Sequence, residues 1–118
     1  MTIFGRHNME NLQAAALACQ QIGVSLDDFY RTIASFTGAS NRLEFIDEIG
    51  TNVAYKDFAH SPSKLRATVN AVRERYPEKQ LVAAMELHTF SSLMADFLPQ
   101  YEAVWHRRMW HWCISIRK

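Results

Sequence analysis

The sequence predicts an α/β fold: a mostly parallel sheet with flanking helices, preceded by two further helices. Three stretches carry that expectation. Val53-Ala54-Tyr55 has strand propensity and runs through a polar corner to Ser61-Pro62, a strong N-cap followed by a proline where the first helical residue belongs. Leu81 to Leu87 is a nearly continuous apolar run, the pattern of a parallel strand covered on both faces. Between them, Leu65, Val69 and Val72 recur at helical spacing until Pro77. Strand, helix and strand together predict one right-handed βαβ crossover from Val53 to Leu87.

Ahead of this unit, the segment after Gly5 reads as a helix to about Ile22, with Leu12, Ala16, Cys19 and Ile22 on its inner face and Gly23 as its stop. Ser25 with Asp28 is a capping box for a second helix, with Leu26, Phe29, Ile33 and Phe36 inward and Gly38 at its end. Thr37 to Asn41 is small and polar, the composition of a boundary. Arg42 to Ile49 is a strand candidate, followed by turn chemistry at Gly50-Thr51-Asn52. Lys64, Arg66, Arg73 and Arg75 read as a solvated helix face. After Leu87, a helix is expected from Ser91 or Ser92, with Leu93, Phe97 and Tyr101 inward, ending near Pro99 to Glu102.

A chain of 118 residues supports one domain with a real core. With 48% hydrophobic and 21% charged residues it has an ordinary globular composition. Its net charge of +1 gives no nucleic-acid or membrane footprint. No apolar run approaches the roughly 18 to 20 residues of a membrane span. Arg6 to Asn11 is polar where the apolar core of a signal peptide would lie. Cys19 and Cys113 are far apart. The expectation is a reduced, cytoplasmic protein.

Residues 103–118 fit this plan badly. All three tryptophans fall there, among His106, His111 and paired arginines, where a further parallel strand is expected. Tryptophan and methionine have one codon each, so a shifted reading is partly forced. Read one base early, the run from Val104 is compatible with MAPPDVALVYFNP, and DVALVYF is a strong buried-strand sequence. The tail is therefore expected to be an out-of-frame product.

Asp57 and His60 fall at the carboxyl end of a strand beside a helix start. In open α/β sheets ligands bind outside the strand ends, and a helix N-terminus suits phosphate. At His7-Asn8-x-x-Asn11, Arg42-x-Glu44 and Asp57-Phe58-Ala59-His60-Ser61-Pro62, the chain resembles the C-terminal part of a Mur ligase. Each motif is weak alone; in this order and spacing they are specific, and the resemblance covers Gly5 to Glu102. Within the family it looks most like the muropeptide ligases, which join UDP-N-acetylmuramate to L-Ala-γ-D-Glu-meso-diaminopimelate, and next like the alanine-adding ligases.

The resemblance implies three domains in the parent enzyme. Residues 1–37 would be the last helices of the central ATP-binding domain. Residues 38–102 would be a truncated, Rossmann-like C-terminal domain. The implied partners are UDP-N-acetylmuramate, a peptide or amino-acid acceptor, and the N-terminal and central ligase domains. ATP and Mg2+ would be held mainly by the central domain; no GxxxxGK[ST] occurs here. The family couples ATP to amide formation through an acyl phosphate, by positioning and charge neutralisation.

By the same resemblance His7, Asn8 and Asn11 approach adenine, an amide offering donor and acceptor together. Arg42 reaches ATP phosphates, to which a guanidinium forks. Asp57 accepts from ribose hydroxyls or orients its neighbours. His60, Ser61 and His88 border the acceptor, and Arg42, Asp57 and His60 are the candidate catalytic residues. Each has an ordinary alternative: an N-cap for Asn8, a surface ion pair with Glu44 for Arg42, strand-end packing for His60, a helix cap for His88. Lys56 stands where the family often has an acid, and Ser61 where it often has histidine. His88-Thr89-Phe90-Ser91-Ser92 lacks the arginines that alanine-adding relatives carry there, which favours a different acceptor. The rival readings are a stand-alone nucleotide- or peptide-binding module and a folylpolyglutamate synthase, whose acceptor-side residues differ.

Overall fold

The computed structural model describes residues 3–87, 89, 91–105 and 109–114. It is an α/β chain of two compact units, Met1–Phe58 and Ala59–Lys118.

The first unit opens with α1 (Arg6–Gln21) and α2 (Leu26–Ile33). Helix α1 stops where expected: Ile22 is its C-cap and Gly23 follows at φ 88°, a left-handed position that glycine takes without steric cost. The Ser25 hydroxyl accepts the Asp28 N–H at 3.1 Å and donates to the Asp28 carboxylate at 2.7 Å, fixing the start of α2. Ala16 and Phe29 are the buried residues of the two helices. The inner faces are narrower than the periodicity predicts, since Ile22 is 79% exposed and Leu26 and Phe36 are also exposed. Helix α2 ends at Ile33, short of the expected Gly38.

Strands β1 (Glu44–Ile49) and β2 (Asn52–Lys56) form an antiparallel hairpin. The pair Ile49↔Asn52 closes on a two-residue loop whose Gly50 sits at φ 60°, as short hairpin loops require. A bulge interrupts the register between Phe45 and Asp47. Edge-on aromatic packing ties the hairpin to the start of α1. The Tyr55 ring meets Phe4 at 5.3 Å and Phe45 at 5.9 Å between centroids.

The second unit runs α3 (Pro62–Arg75), β3 (Leu81–Glu86), a 3-10 turn (Ser91–Leu93), α4 (Pro99–Glu102) and β4 (Met109–Ile114). Helix α3 starts as expected, with Ser61 as N-cap and Pro62 at the first helical position. Its core is Leu65 and Val69 with Met85, Leu87, Tyr101 and Val104. Burying each large apolar side chain there contributes about 1.5–3 kcal/mol. Arg73 is not on a purely solvated face: its Nη1 donates to the Lys79 carbonyl at 3.0 Å and secures the turn into β3.

Three expectations need correction. The crossover from Val53 to Leu87 is not the parallel unit, because β2 pairs with β1 and β3 pairs in parallel with β4. The Gly50 loop returns the chain at once, and a turn that tight makes an antiparallel pair. Strand β3 is not covered on both faces: burial alternates along it, with Val82 54% exposed and Met85 buried. The helix expected from Ser91 is broken into a 3-10 turn and α4; α4 ends at Glu102, within the expected range, and opens at Pro99, where proline's missing N–H is harmless. The further parallel strand expected in this region is supplied by Met109–Ile114 itself, beside β3 from Leu81↔Met109 to Glu86↔Ile114.

Candidate functional site

The start of α1 is built by backbone geometry. Gly5 is the N-cap at φ 89° with no side-chain cap, and its carbonyl accepts the Asn8 and Met9 N–H groups at 3.0 and 3.2 Å. Asn8 is thus inside the helix rather than its N-cap. Its Nδ2 donates to the Phe4 carbonyl at 2.8 Å, fastening the helix to the residue that packs on Tyr55. That bond commits the amide nitrogen's position and leaves the amide oxygen with no partner among the described residues. Asn11 lies three residues on, on the same helix face, and is exposed. His7 is half-buried.

The hairpin supplies Arg42 and Asp57 from adjacent backbones at one end. The Phe58 N–H donates to the Asn41 carbonyl at 3.0 Å, just beyond the Glu44↔Lys56 pair. Arg42 sits between two residues of positive φ, Asn41 at 56° and Leu43 at 50°. Asparagine tolerates that region, while a leucine there is strained by about 1–3 kcal/mol. Burial of Leu43 helps offset that strain.

The ion pair with Glu44, the ordinary alternative for Arg42, does not form. Glu44 Oε2 instead accepts the Asn41 N–H at 2.7 Å and the Ser40 hydroxyl at 3.3 Å. The exposed Arg42 guanidinium makes no hydrogen bond or ion pair among the described residues. Asp57 is half-buried at the end of β2.

His60 and Ser61 belong to the second unit. The His60 carbonyl accepts the Tyr101 hydroxyl at 2.7 Å, so the corner is anchored by a core residue. Ser61 Oγ accepts the Lys64 N–H at 3.5 Å and lies 3.3 Å from the Ser63 hydroxyl. His88 lies outside the described residues. Five candidates are therefore brought into the first unit (His7, Asn8, Asn11, Arg42 and Asp57) and two into the second. Sequence reasoning missed Glu44 as a backbone clamp and Tyr101 as an anchor. The three-residue spacing of Asn41 and Glu44 was the available signal, since a carboxylate at that spacing reaches back to a backbone N–H. Among the described residues, no group of three or more His, Cys, Asp or Glu side chains could hold a metal ion.

No family model matches the chain. Among curated proteins, it is 36% identical over 93 residues to a UDP-N-acetylmuramate–L-alanine ligase of Lactiplantibacillus plantarum, covering 79% of this chain and 21% of the relative. It is 32% identical over 92 residues to the ligase of the same name from Lactococcus lactis subsp. cremoris strain MG1363, covering 78% and 20%. Most of this chain is Mur ligase family sequence. It spans about a fifth of the length of these relatives. Both are alanine ligases, so the similarity does not support placing the muropeptide branch first.

Two solved structures share the fold. The crystal structure of UDP-N-acetylmuramate-alanine ligase from Thermotoga maritima matches with a TM-score of 0.70 at 15% identity, covering 97% of this chain and 30% of that one. That of a murein peptide ligase from Psychrobacter arcticus 273-4 matches with a TM-score of 0.55 at 27% identity, covering 85% and 22%.

Proposed function

We propose that this chain is the C-terminal portion of an ATP-dependent UDP-N-acetylmuramate–L-alanine ligase of peptidoglycan synthesis, acting in the cytoplasm. The 36% identity to an alanine ligase across 79% of the chain supports the acceptor. The observation that carries the nucleotide role is the exposed guanidinium of Arg42, without an anion partner among the described residues while its neighbour Glu44 is engaged by backbone.

In this reading the central domain of the ligase holds most of ATP and Mg2+. Arg42 forks onto phosphate oxygens and neutralises charge as the carboxylate of UDP-N-acetylmuramate is activated. Asp57 accepts from ribose hydroxyls. The free amide oxygen of Asn8 suits the exocyclic amine of adenine, with Asn11 and His7 beside it on the helix. His60, Ser61 and His88 border the amino acceptor. Residues 1–37 then continue the central domain, and residues 38–102 form the lid that excludes water from the activated acyl group.

A second reading keeps the muropeptide acceptor. It draws on the 27% identity to the murein peptide ligase structure and on Thr89 to Ser92, which lack the arginines of alanine-adding relatives.

One experiment separates the two. This chain replaces the corresponding segment of the Lactiplantibacillus plantarum ligase, and ATP-dependent phosphate release is measured with UDP-N-acetylmuramate and either L-alanine or L-Ala-γ-D-Glu-meso-diaminopimelate. Turnover with L-alanine is expected. Turnover with the tripeptide alone selects the second reading, and turnover with neither overturns both.

A further inference from the structure

We infer that Glu44 is a positioning residue that holds the Arg42 guanidinium out for phosphate. The inference rests on the reading of Arg42 as a phosphate ligand. Two residues apart on a regular strand, an arginine and a glutamate share a face and would pair. Here the chain leaves strand geometry at φ 56° for Asn41 and φ 50° for Leu43. The Glu44 carboxylate turns back across that bend to the Asn41 N–H at 2.7 Å and the Ser40 hydroxyl at 3.3 Å.

The arrangement does two things at once. It commits Oε2 of the carboxylate nearest Arg42 in sequence to the Asn41 N–H and the Ser40 hydroxyl. It also fixes the backbone on which Arg42 stands. Asn41 is held from one side by Glu44 and from the other by the Phe58 N–H at 3.0 Å, while Leu43 is buried. Leucine does not favour a left-handed conformation by itself. The bond from Glu44 to Asn41 spans it and holds it in place. Arg42 is thus carried between two pinned residues, with its own side chain uncommitted among the described residues.

Charge and position predict opposite signs. If Glu44 acted through its charge, removing that charge would strengthen anion binding. If it acts through the backbone bond, losing the acceptor weakens binding even though a negative charge has gone. Glutamine keeps an acceptor oxygen without charge; alanine keeps neither; aspartate keeps the charge but draws the acceptor back by one methylene.

The test titrates inorganic tripolyphosphate into the whole 118-residue chain at low ionic strength. The Arg42 Nε–H and Asn41 N–H signals are followed by NMR. Arg42→Ala is expected to weaken binding about tenfold, Glu44→Ala about fivefold, and Glu44→Gln less than about twofold, as befits charge-assisted bonds at an exposed site. Should Glu44→Ala fail to fold, Glu44→Asp carries the comparison: weaker binding supports positioning, and unchanged binding overturns it. Tighter or unchanged binding in a folded Glu44→Ala chain, while Arg42→Ala still weakens it, overturns the inference alone. An Arg42→Ala chain that binds as the parent does overturns the phosphate reading and the inference with it.

Discussion

The hydroxyl of Tyr101 donates to the backbone carbonyl of His60 at 2.7 Å, across 41 residues of sequence. Tyr101 is 3% exposed and packs in the cluster of Leu65, Val69 and Met85. One buried phenol therefore ties the corner before α3 to the core of the second unit. Tyr101→Phe keeps the ring and leaves the His60 carbonyl short of a donor. The expected cost is about 1 kcal/mol, toward the low end, because the bond is only partly buried. Hydrogen exchange in α3, compared between parent and variant, measures it.

Leu43 gives a comparison in which backbone and side chain separate. Leu43→Ala loses the buried side chain and keeps the left-handed strain. Leu43→Gly loses the same contacts but relieves the strain. Both variants are expected to be less stable than the parent, with the glycine variant more stable than the alanine variant by about 1 kcal/mol. Urea unfolding monitored at the Tyr55 ring tests the order. An alanine variant at least as stable as the glycine one would contradict the φ of 50° at this position.

At the start of α3, Ser61→Ala removes the acceptor for the Lys64 N–H. Because that bond is 3.5 Å long, the loss should fall at the lower end for an N-cap, about 0.5–1 kcal/mol. Ser61→Asp should restore or exceed the parent's stability, since a carboxylate also complements the helix dipole. Thermal melts of the three chains give the comparison.

Residues 103–118 carry a prediction at the level of DNA. If they arose out of frame, the encoding DNA read one base early from Val104 spells an apolar strand of the DVALVYF kind. A codon set incompatible with that strand ends the idea. Met109–Ile114 already pairs in parallel with β3. A chain restored to the shifted frame should fill the same position with more apolar side chains and melt at a higher temperature.

Local signals in the sequence are legible where one residue type dictates one backbone state. Gly23 as a helix stop, Ser25 with Asp28, and Ser61-Pro62 as a helix start are such cases. The hairpin was harder, because alternation marks a strand without naming the neighbour it pairs with. Gly50 decided that, by closing the chain on itself within two residues. Pro99 is compatible with either the end or the start of a helix, and the burial of Tyr101 goes with the second. The site shows the same division. Arg42 and Asp57 are legible as residues, but that Glu44 ignores Arg42 depends on two left-handed residues, of which only Asn41 has a propensity for that region.

The claim on which the account turns is that Arg42 meets nucleotide phosphate in an assembled Mur ligase. In the chimeric ligase carrying this chain, Arg42→Ala and Arg42→Lys are compared with the parent for kcat/KM toward ATP. The account predicts a loss of about a hundredfold for alanine and a smaller but clear loss for lysine, which keeps the charge without the fork. An Arg42→Ala enzyme with an unchanged kcat/KM for ATP would contradict it.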